Sequence, residues 1–78
     1  MTTYADTLEE ALIVQLRVEM AERGMSQQDL AKALDITSAT LSRYMKGHRS
    51  FPMPILFQTA EILGIPAKTL VERAEARL

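Results

Sequence analysis

An all-α fold of five helices is predicted by two features of the sequence. Apolar residues recur at three- and four-residue spacing in successive segments, which is the period of a helix with one buried face. Each segment is preceded by a capping hydroxyl or a proline, and isolated glycines follow several of them. With 78 residues, 47% of them hydrophobic, the chain is expected to form one compact domain over residues 1–78.

The first helix is predicted from about Thr7 to Arg23, and residues 1–6 are expected to be flexible. Thr7 and Glu10 make a capping-box pair, and Gly24 can end the helix in a left-handed conformation. One apolar stripe should pack on the core, whereas a second apolar set lies on the opposite side. The second set is either scattered surface residues or a contact with another subunit or partner. The stripe comprises Leu12, Ile13, Leu16 and Met20, and the second set comprises Ala11, Val14, Val18 and Ala21.

A short second helix is predicted from Gln27 to about Leu34. Ser26 is a good N-cap for it, because its hydroxyl can accept a hydrogen bond from a free backbone N–H. Asp29 stands three residues later, where it completes a capping box and faces the positive end of the helix. Asp35 follows the helix and tolerates the left-handed conformation that a sharp turn requires. A third helix should therefore begin almost at once.

The third helix, capped by Thr37 and ended by Gly47, is predicted to have two unlike faces. On a helical wheel Leu41 and Tyr44 fall together, with Met45 nearby, so this side can bury against the second helix. The other side carries no acid and no large apolar group. A helix that enters the DNA major groove needs this combination of small residues, hydroxyls and cations. The members of that side are Ala39, Ser42, Arg43 and Lys46, with Ser38 at the boundary.

The charges are unevenly distributed, although the net charge is only −1. Residues 1–35 hold seven acids and three bases, a net charge of −4, and residues 36–60 hold three bases and no acid, a net charge of +3. Cations gathered on one face can bind phosphate locally while acids elsewhere limit non-specific binding. An acid-free run of this length also arises by chance in a small protein. It supports phosphate binding here because it overlaps the third helix.

The segment from Gly47 to Pro54 is predicted to be a loop because of its glycine and prolines. Arg49 follows the third helix closely, which is a good position for contact with a DNA backbone. His48 is the only histidine, and without cysteines or clustered acids it is interpreted as a surface residue and not as a metal ligand. Phe51 is expected to anchor the loop in the core.

The fourth and fifth helices are predicted over about residues 54–63 and 67–77. Pro54 suits a first helical turn, because its missing N–H costs nothing there. Gly64 should end the fourth helix. The buried stripes are expected to be Leu56, Ala60 and Leu63 in the fourth helix, and Leu70, Val71, Ala74 and Leu78 in the fifth.

The stretch from Gln27 to Lys46 resembles the helix-turn-helix of the Cro/repressor family of bacterial and phage regulators. The family usually has glycine where this chain has Asp35, a mild departure because aspartate can adopt the same backbone angles. The resemblance covers about residues 8–72 and implies a lambda-repressor-like domain in which helices two and three form the helix-turn-helix. The matching positions are Leu30, Ala31, Leu34, Ile36, Leu41 and Tyr44 in the motif, and Leu56, Ala60, Leu63, Gly64, Ile65 and Leu70 beyond it.

This resemblance implies a sequence-specific, double-stranded DNA-binding transcriptional regulator, in particular a repressor, with a recognition helix at about 38–46 in the major groove. It would bind a two-fold symmetric operator as a homodimer, without a cofactor, in the cytoplasm or nucleoid of a bacterium or as a phage-encoded protein. The dimer would use the fifth helix with the end of the fourth, or the second apolar set of the first. Base edges or adjacent phosphates would meet Thr37, Ser38, Ala39, Ser42 and Arg43, and Gln27, Lys46 and Arg49 would hold the DNA backbone.

The same features also have other interpretations. Arg43 could instead form an intramolecular salt bridge with Asp29 or Asp35. Ser38 and Ser42 could be tolerated residues of a helix surface. An alternative function is a protein-interaction module on the same fold, such as an antitoxin-like or co-regulator domain, which the acidic first helix with two apolar sides supports.

No enzyme is predicted, because the sequence lacks a convincing catalytic grouping. The chain has no cysteine and one histidine, which removes thiol–imidazole chemistry and disulfides. Glu19 and Glu22 are interpreted as part of a solvated helix face, and the isolated glycines do not make a phosphate-binding loop. No apolar run approaches the roughly 18 residues of a membrane span, and the acidic N-terminus lacks the features of a signal peptide.

Overall fold

Five α-helices account for most of the chain in the computed structural model, which describes residues 2–78. Residues 2–78 contain no strand, which confirms the predicted all-α fold. The first helix packs along the fifth, the second packs against the third and the fourth, and the fourth packs against the fifth. Within the described part of the chain, no helix is long and apolar enough to cross a membrane. The helices are α1 (Tyr4–Glu22), α2 (Gln27–Leu34), α3 (Ser38–Met45), α4 (Met53–Leu63) and α5 (Ala67–Glu75).

The start of α1 lies one turn earlier than the sequence predicts. Thr3 is the N-cap: its hydroxyl accepts a hydrogen bond from the Asp6 N–H (3.1 Å), and the Asp6 carboxylate accepts one from the Thr3 N–H (3.3 Å). Thr7, the predicted cap, is inside the helix, where its hydroxyl donates to the Thr3 carbonyl (3.0 Å). The prediction was wrong because two capping pairs with the same spacing follow each other here, and the helix uses the earlier one.

The additional turn connects the start of α1 to the end of α5. The Tyr4 hydroxyl donates to the Glu75 carboxylate, and this hydrogen bond raises the pKa of Tyr4. Residues 4–6, which the sequence places in a flexible segment, are therefore helical, and Met1 of that segment lies outside the described residues.

The other helix boundaries follow the predicted start and stop signals closely. Gly24, Gly47 and Gly64 have φ angles of 62°, 75° and 77°, so each adopts the left-handed conformation that ends a helix. Pro54 lies in the first turn of α4, as predicted, although that helix begins one residue earlier. The last helix ends at Glu75 and not at about residue 77.

The core is formed by the predicted apolar stripes of all five helices. Leu16, Leu30, Leu41 and Leu70 have no exposed surface. Leu78 was expected in the stripe of α5, but its side chain is 53% exposed because it lies beyond the last helical turn. The other buried apolar residues are Ala11, Leu12, Met20, Ala31, Leu34, Tyr44, Met45, Leu56, Ala60, Leu63 and Ala74.

The interior also encloses a charged residue, Glu19 of α1, which is only 1% exposed. Its carboxylate accepts hydrogen bonds from Arg73 Nη1 (2.7 Å), Arg23 Nη1 (2.8 Å) and Gln15 Nε2 (2.6 Å). Burial alone opposes ionisation, but the hydrogen bonds from Arg73, Gln15 and Arg23 outweigh it and lower the pKa of Glu19 from 4.5 to about 2. The interpretation of Glu19 as part of a solvated face is therefore wrong, because arginines from outside α1 make its burial tolerable.

The arginines around Glu19 also fasten α1 to the last two helices. Arg23 Nε donates to the Leu63 carbonyl at the end of α4 (2.9 Å). Arg77 Nε donates to Gln15 Oε1 across the contact between α1 and α5 (2.8 Å). Within the described residues, no buried side-chain nitrogen or oxygen lacks a hydrogen-bond partner. The polar group in the interior is therefore fully satisfied, which is the condition for a buried charge to be stable.

Glu19→Gln is expected to lower the free energy of unfolding at neutral pH by about 2 kcal/mol. Breaking a fully buried ion pair costs about 3–5 kcal/mol, but water screens part of this one, because the Arg23 and Arg73 side chains are 30% and 46% exposed. The folded-state pKa of Glu19 lies below its ordinary value of 4.5, so this stabilisation is present above that pH and is lost as the pH falls towards about 2. Urea unfolding across this range measures both effects.

Glu10→Gln is the matched control, because Glu10 lies exposed on the same helix. It is expected to change the free energy of unfolding by less than about 0.5 kcal/mol. If Glu19→Gln and the unsubstituted chain lose the same stability between about pH 5 and pH 2, the role of Glu19 is refuted.

Candidate nucleic-acid interface

The predicted capping box begins α2. The Ser26 hydroxyl accepts a hydrogen bond from the Asp29 N–H (3.1 Å), and the Asp29 carboxylate accepts one from the Ser26 N–H (3.0 Å). The hydrogen bonds with the Ser26 backbone and hydroxyl lower the pKa of Asp29. Gln27 is the first residue of the helix and is half-buried. It therefore lies at a helix N-terminus, the end whose free N–H groups favour a phosphate oxygen.

A left-handed residue, Asp35, makes the turn between α2 and α3, with φ 57° and ψ 41°. The Ile36 N–H donates to the Ala31 carbonyl (3.0 Å), and the Asp35 N–H donates to the Lys32 carbonyl (3.2 Å). These two hydrogen bonds close the last turn of α2 in a Schellman motif, the arrangement that a left-handed residue permits. The predicted turn is therefore confirmed, with aspartate in a position that glycine usually occupies.

Thr37 caps α3, as predicted. Its hydroxyl accepts a hydrogen bond from the Thr40 N–H (3.1 Å) and donates one to the Thr40 hydroxyl (2.9 Å). The donor of the Thr37 hydroxyl and one of its two acceptor lone pairs are thus used within the chain. Its contact with a base edge stays a prediction, and one that competes with capping.

The inner face of α3 is buried as predicted. Leu41 has no exposed surface, and Met45 is 2% exposed. The Tyr44 ring packs against the ring of Phe51, with centroids 5.2 Å apart, which anchors the loop after α3. Ala31 of α2 is 2% exposed, so a small residue stands on the buried side of the first motif helix. The orientation of α3 is therefore set by its buried side and leaves the other side to solvent.

Most of the predicted DNA-contacting side chains lie on the outer face of α3 and in the loop that follows. Ser42 is half-buried, at the edge of this face, and Gln27 stands apart at the start of α2. The chain thus brings the predicted base-reading residues together on one helix. The exposed members of the set are Thr37, Ser38, Ala39, Arg43, Lys46 and Arg49.

Arg43 makes no salt bridge with Asp29 or Asp35, the alternative that the sequence leaves open. The ion pairs within residues 2–78 all involve the carboxylate of Glu19. Arg43, Lys46 and Arg49 consequently have no anionic partner in the described part of the chain. Such cations are available to phosphates or to the acceptor edge of guanine.

The acid-free run of the sequence is not free of acids in space. The Ser50 hydroxyl donates to a carboxylate oxygen of Glu9 on α1 (3.3 Å). Arg49 and Lys46 line a groove beside α1 that Glu9 and neighbouring acids also line, whereas Arg43 does not. The positive potential that the sequence predicts is therefore weakened near Lys46 and Arg49, whereas Arg43 lies away from these acids.

The C-terminal end of α3 carries a contact that sequence reasoning missed. Arg17 of α1 donates from Nη2 to the carbonyl of Met45, the last residue of the helix (2.9 Å). The backbone N–H groups of Lys46, Gly47 and His48 bond to the other three end carbonyls. No local signal predicts the Arg17 contact, because the two residues are 28 positions apart.

The described residues contain no group of three or more histidines, cysteines or acids that could hold a metal ion. The site instead offers guanidinium and ammonium groups, hydroxyls and a helix N-terminus, which bind phosphates and base edges. The fold and the site together define a helix-turn-helix protein of the DNA-binding kind.

Comparisons with known proteins identify the family. The helix-turn-helix family profile matches residues 13–70, and the chain belongs to this Cro/C1-type helix-turn-helix family. The HTH-type transcriptional regulator PrpR of Mycobacterium tuberculosis is 32% identical over 76 residues, which is 97% of this chain. The chain spans only 15% of the length of that relative.

Solved structures give the same result. Two crystal structures of the clp gene regulator ClgR from Corynebacterium glutamicum superpose on this chain with TM-scores of 0.82 and 0.80, at 26% and 25% identity. The matches cover 90% and 91% of this chain, and 74% and 92% of the ClgR chains. The matched family is a helix-turn-helix family, and these relatives are named as regulators.

Asp35→Ala is expected to lower the free energy of unfolding by about 1 kcal/mol, because alanine rarely adopts a positive φ and has no polar group to offset it. Asp35→Gly should preserve or raise the stability, since glycine adopts this conformation without steric cost. Thermal unfolding of both variants measures the difference.

Lys32→Gly is the matched control, because Lys32 lies exposed in the interior of α2. Glycine there should cost about 1 kcal/mol, as in other exposed helix interiors. A similar loss for glycine at position 35 contradicts the left-handed role of Asp35.

Proposed function

We propose that the chain is a single DNA-binding domain of a sequence-specific transcriptional repressor that reads double-stranded DNA with α3. The observation that carries this proposal is the outer face of α3, where Arg43 and Lys46 are exposed and have no ion-pair partner within residues 2–78. Small residues and hydroxyls beside such cations suit the major groove. The domain would act by binding alone, without a cofactor, in the cytoplasm of a bacterium or of the host of a phage.

In this proposal, Arg43 reads a base and the other cations hold the backbone. A guanidinium can donate two hydrogen bonds to guanine, which makes Arg43 the principal specificity residue. Lys46 and Arg49 attract phosphates, and Gln27 adds a polar side chain at the N-terminus of α2. Ser38, Ala39 and Ser42 would lie near base edges, while Thr37 would act mainly as the cap of α3.

A homodimer on a two-fold symmetric operator is part of the same proposal, because one recognition helix covers only half of such a site. The dimer surface would be α5 with the end of α4, or the outer side of α1. The outer side of α1 presents less apolar surface to a second subunit than the sequence suggests, because Ala11 is buried in the chain's own core. Val14, at 46% exposure, is the exposed large apolar residue of that helix besides Tyr4.

The protein-interaction alternative loses support for related reasons. It rests on an acidic α1 with two apolar sides, but Glu19 is internal and Ala11 belongs to the core. A protein partner on the remaining apolar residues of α1 is therefore a weaker hypothesis than DNA binding by α3.

The proposal is tested by incubating the purified chain with a random duplex library at near-physiological salt and sequencing the retained DNA. The expected result is a two-fold symmetric motif whose half-sites lie about one helical turn apart. The control is a triple variant with Arg43, Lys46 and Arg49 replaced by alanine, which should recover no motif. Weak retention without a motif, lost as salt rises, indicates electrostatic binding alone and overturns the proposal.

Arg43→Ala is expected to weaken binding to the selected duplex by about 1–3 kcal/mol, because a bidentate contact with one base is lost. A selection repeated with this variant should show a flattened preference at one position of each half-site. Fluorescence anisotropy with the selected duplex and with an unrelated duplex measures the loss.

Lys46→Ala is the matched comparison, because Lys46 is an exposed cation at the end of the same helix. It should weaken binding to both duplexes alike and reduce the salt dependence by about one charge. If Arg43→Ala behaves in this way too, Arg43 contacts phosphate and does not read a base.

A further inference from the structure

The C-terminal end of α3 has a complete set of hydrogen bonds, and one of them comes from another helix. The last four carbonyls of a helix lack partners within it, so each must find a donor elsewhere. Three of them use backbone N–H groups of the segment that follows. In order, the carbonyls of Ser42, Arg43 and Tyr44 accept from the N–H groups of Lys46, His48 and Gly47 at 2.9, 2.9 and 3.1 Å, and the carbonyl of Met45 accepts from Arg17 Nη2 at 2.9 Å.

Unlike the other three, the Arg17 hydrogen bond can fix the position of α3 relative to another helix. The backbone hydrogen bonds are local, and a helix that ends at a left-handed glycine forms them wherever it lies in the protein. The bond from Arg17 spans 28 residues and joins α1 to the last carbonyl of α3. The guanidinium also lies at the negative end of the α3 dipole, where a cation is favoured. Arg17 therefore restrains the position of α3 relative to α1.

We infer that Arg17 is a positioning residue for DNA recognition: it holds the C-terminal end of α3 and so sets how Arg43 and Lys46 meet the DNA. The inference rests on the proposed function, in which α3 enters the major groove. Recognition contacts must be held within about 0.5 Å of their productive geometry, which a helix released at one end does not ensure. Arg17 acts through α3 and need not touch the DNA.

The test uses Arg17→Met, which keeps the length of the side-chain stem and removes the donor. Binding is measured by anisotropy at a temperature where unfolding curves show that each variant is folded. The selected duplex should be bound on the order of ten-fold more weakly, while binding to an unrelated duplex and its salt dependence should be unchanged. Amide hydrogen exchange should become faster at Lys46, Gly47 and His48 than in the unsubstituted chain. Arg17→Lys, which restores a charged donor, should recover part of the affinity.

Arg77→Met is the matched control. Arg77 also donates one hydrogen bond across helices, to Gln15 of α1 (2.8 Å). Gln15 and Arg17 are two residues apart, which places them on roughly opposite sides of α1. The control therefore removes the same kind of contact on the side of α1 away from Arg17, and it should leave binding of the selected duplex unchanged.

The possible outcomes separate this inference from the function on which it rests. If the unsubstituted chain prefers no duplex, the proposed function fails and the inference fails with it. If the unsubstituted chain prefers a duplex and Arg17→Met binds it equally well, the inference alone fails, even where the melting temperature has dropped. If Arg17→Met weakens all duplexes alike and makes the salt dependence shallower, Arg17 contacts phosphate and the positioning role is overturned.

Discussion

Two helices of eight residues each carry the candidate interface, and neither is long enough to be stable alone. The closure of their ends is therefore the constraint on which the rest of the structure depends. Ser26 and Thr37 cap the starts, and left-handed residues at Asp35 and Gly47 close the ends. Burial of one leucine-bearing face on each helix adds the apolar contribution that such short segments need. Because the caps and the buried face stabilise α3, the side chains on its outer face are not needed for folding.

The long first helix makes hydrogen bonds with the rest of the domain on two of its sides. On one side, Glu19 and the arginines around it join α1 to α4 and α5 through a buried, fully hydrogen-bonded carboxylate. Arg17 extends from another side to the end of α3. Arg23 is the C-cap of α1 and Arg73 lies on α5, so these hydrogen bonds fix α1 relative to the last two helices. Hydrogen bonds from arginines thus connect α1 to α4 and α5 on one side and to α3 on another.

Local signals in the sequence predict the helix-turn-helix almost residue by residue. Caps and turns depend on residues two to four positions apart, so Ser26, Asp35 and Thr37 could be assigned from spacing alone. The outer face of α3 follows from helical period. The burial of Glu19 and the contact of Arg17 could not be assigned in this way, because Arg73 is 54 residues from Glu19 and Met45 is 28 residues from Arg17. The nearby partners of Glu19, four residues away on either side, suit a solvated helix face equally well. The early start of α1 was missed for a different reason, since two equivalent capping pairs compete there.

The free outer face of α3 has a practical consequence for protein engineering. Ser38, Ala39 and Arg43 are exposed and belong neither to the core nor to the ion-pair network. Their codons can be randomised together without rebuilding the scaffold, whereas Thr37 and Tyr44 must be kept for capping and packing. The boundary between variable and invariant positions runs lengthwise along one short helix. The chain is thereby suited to display libraries in which recognition is diversified and the fold is held constant.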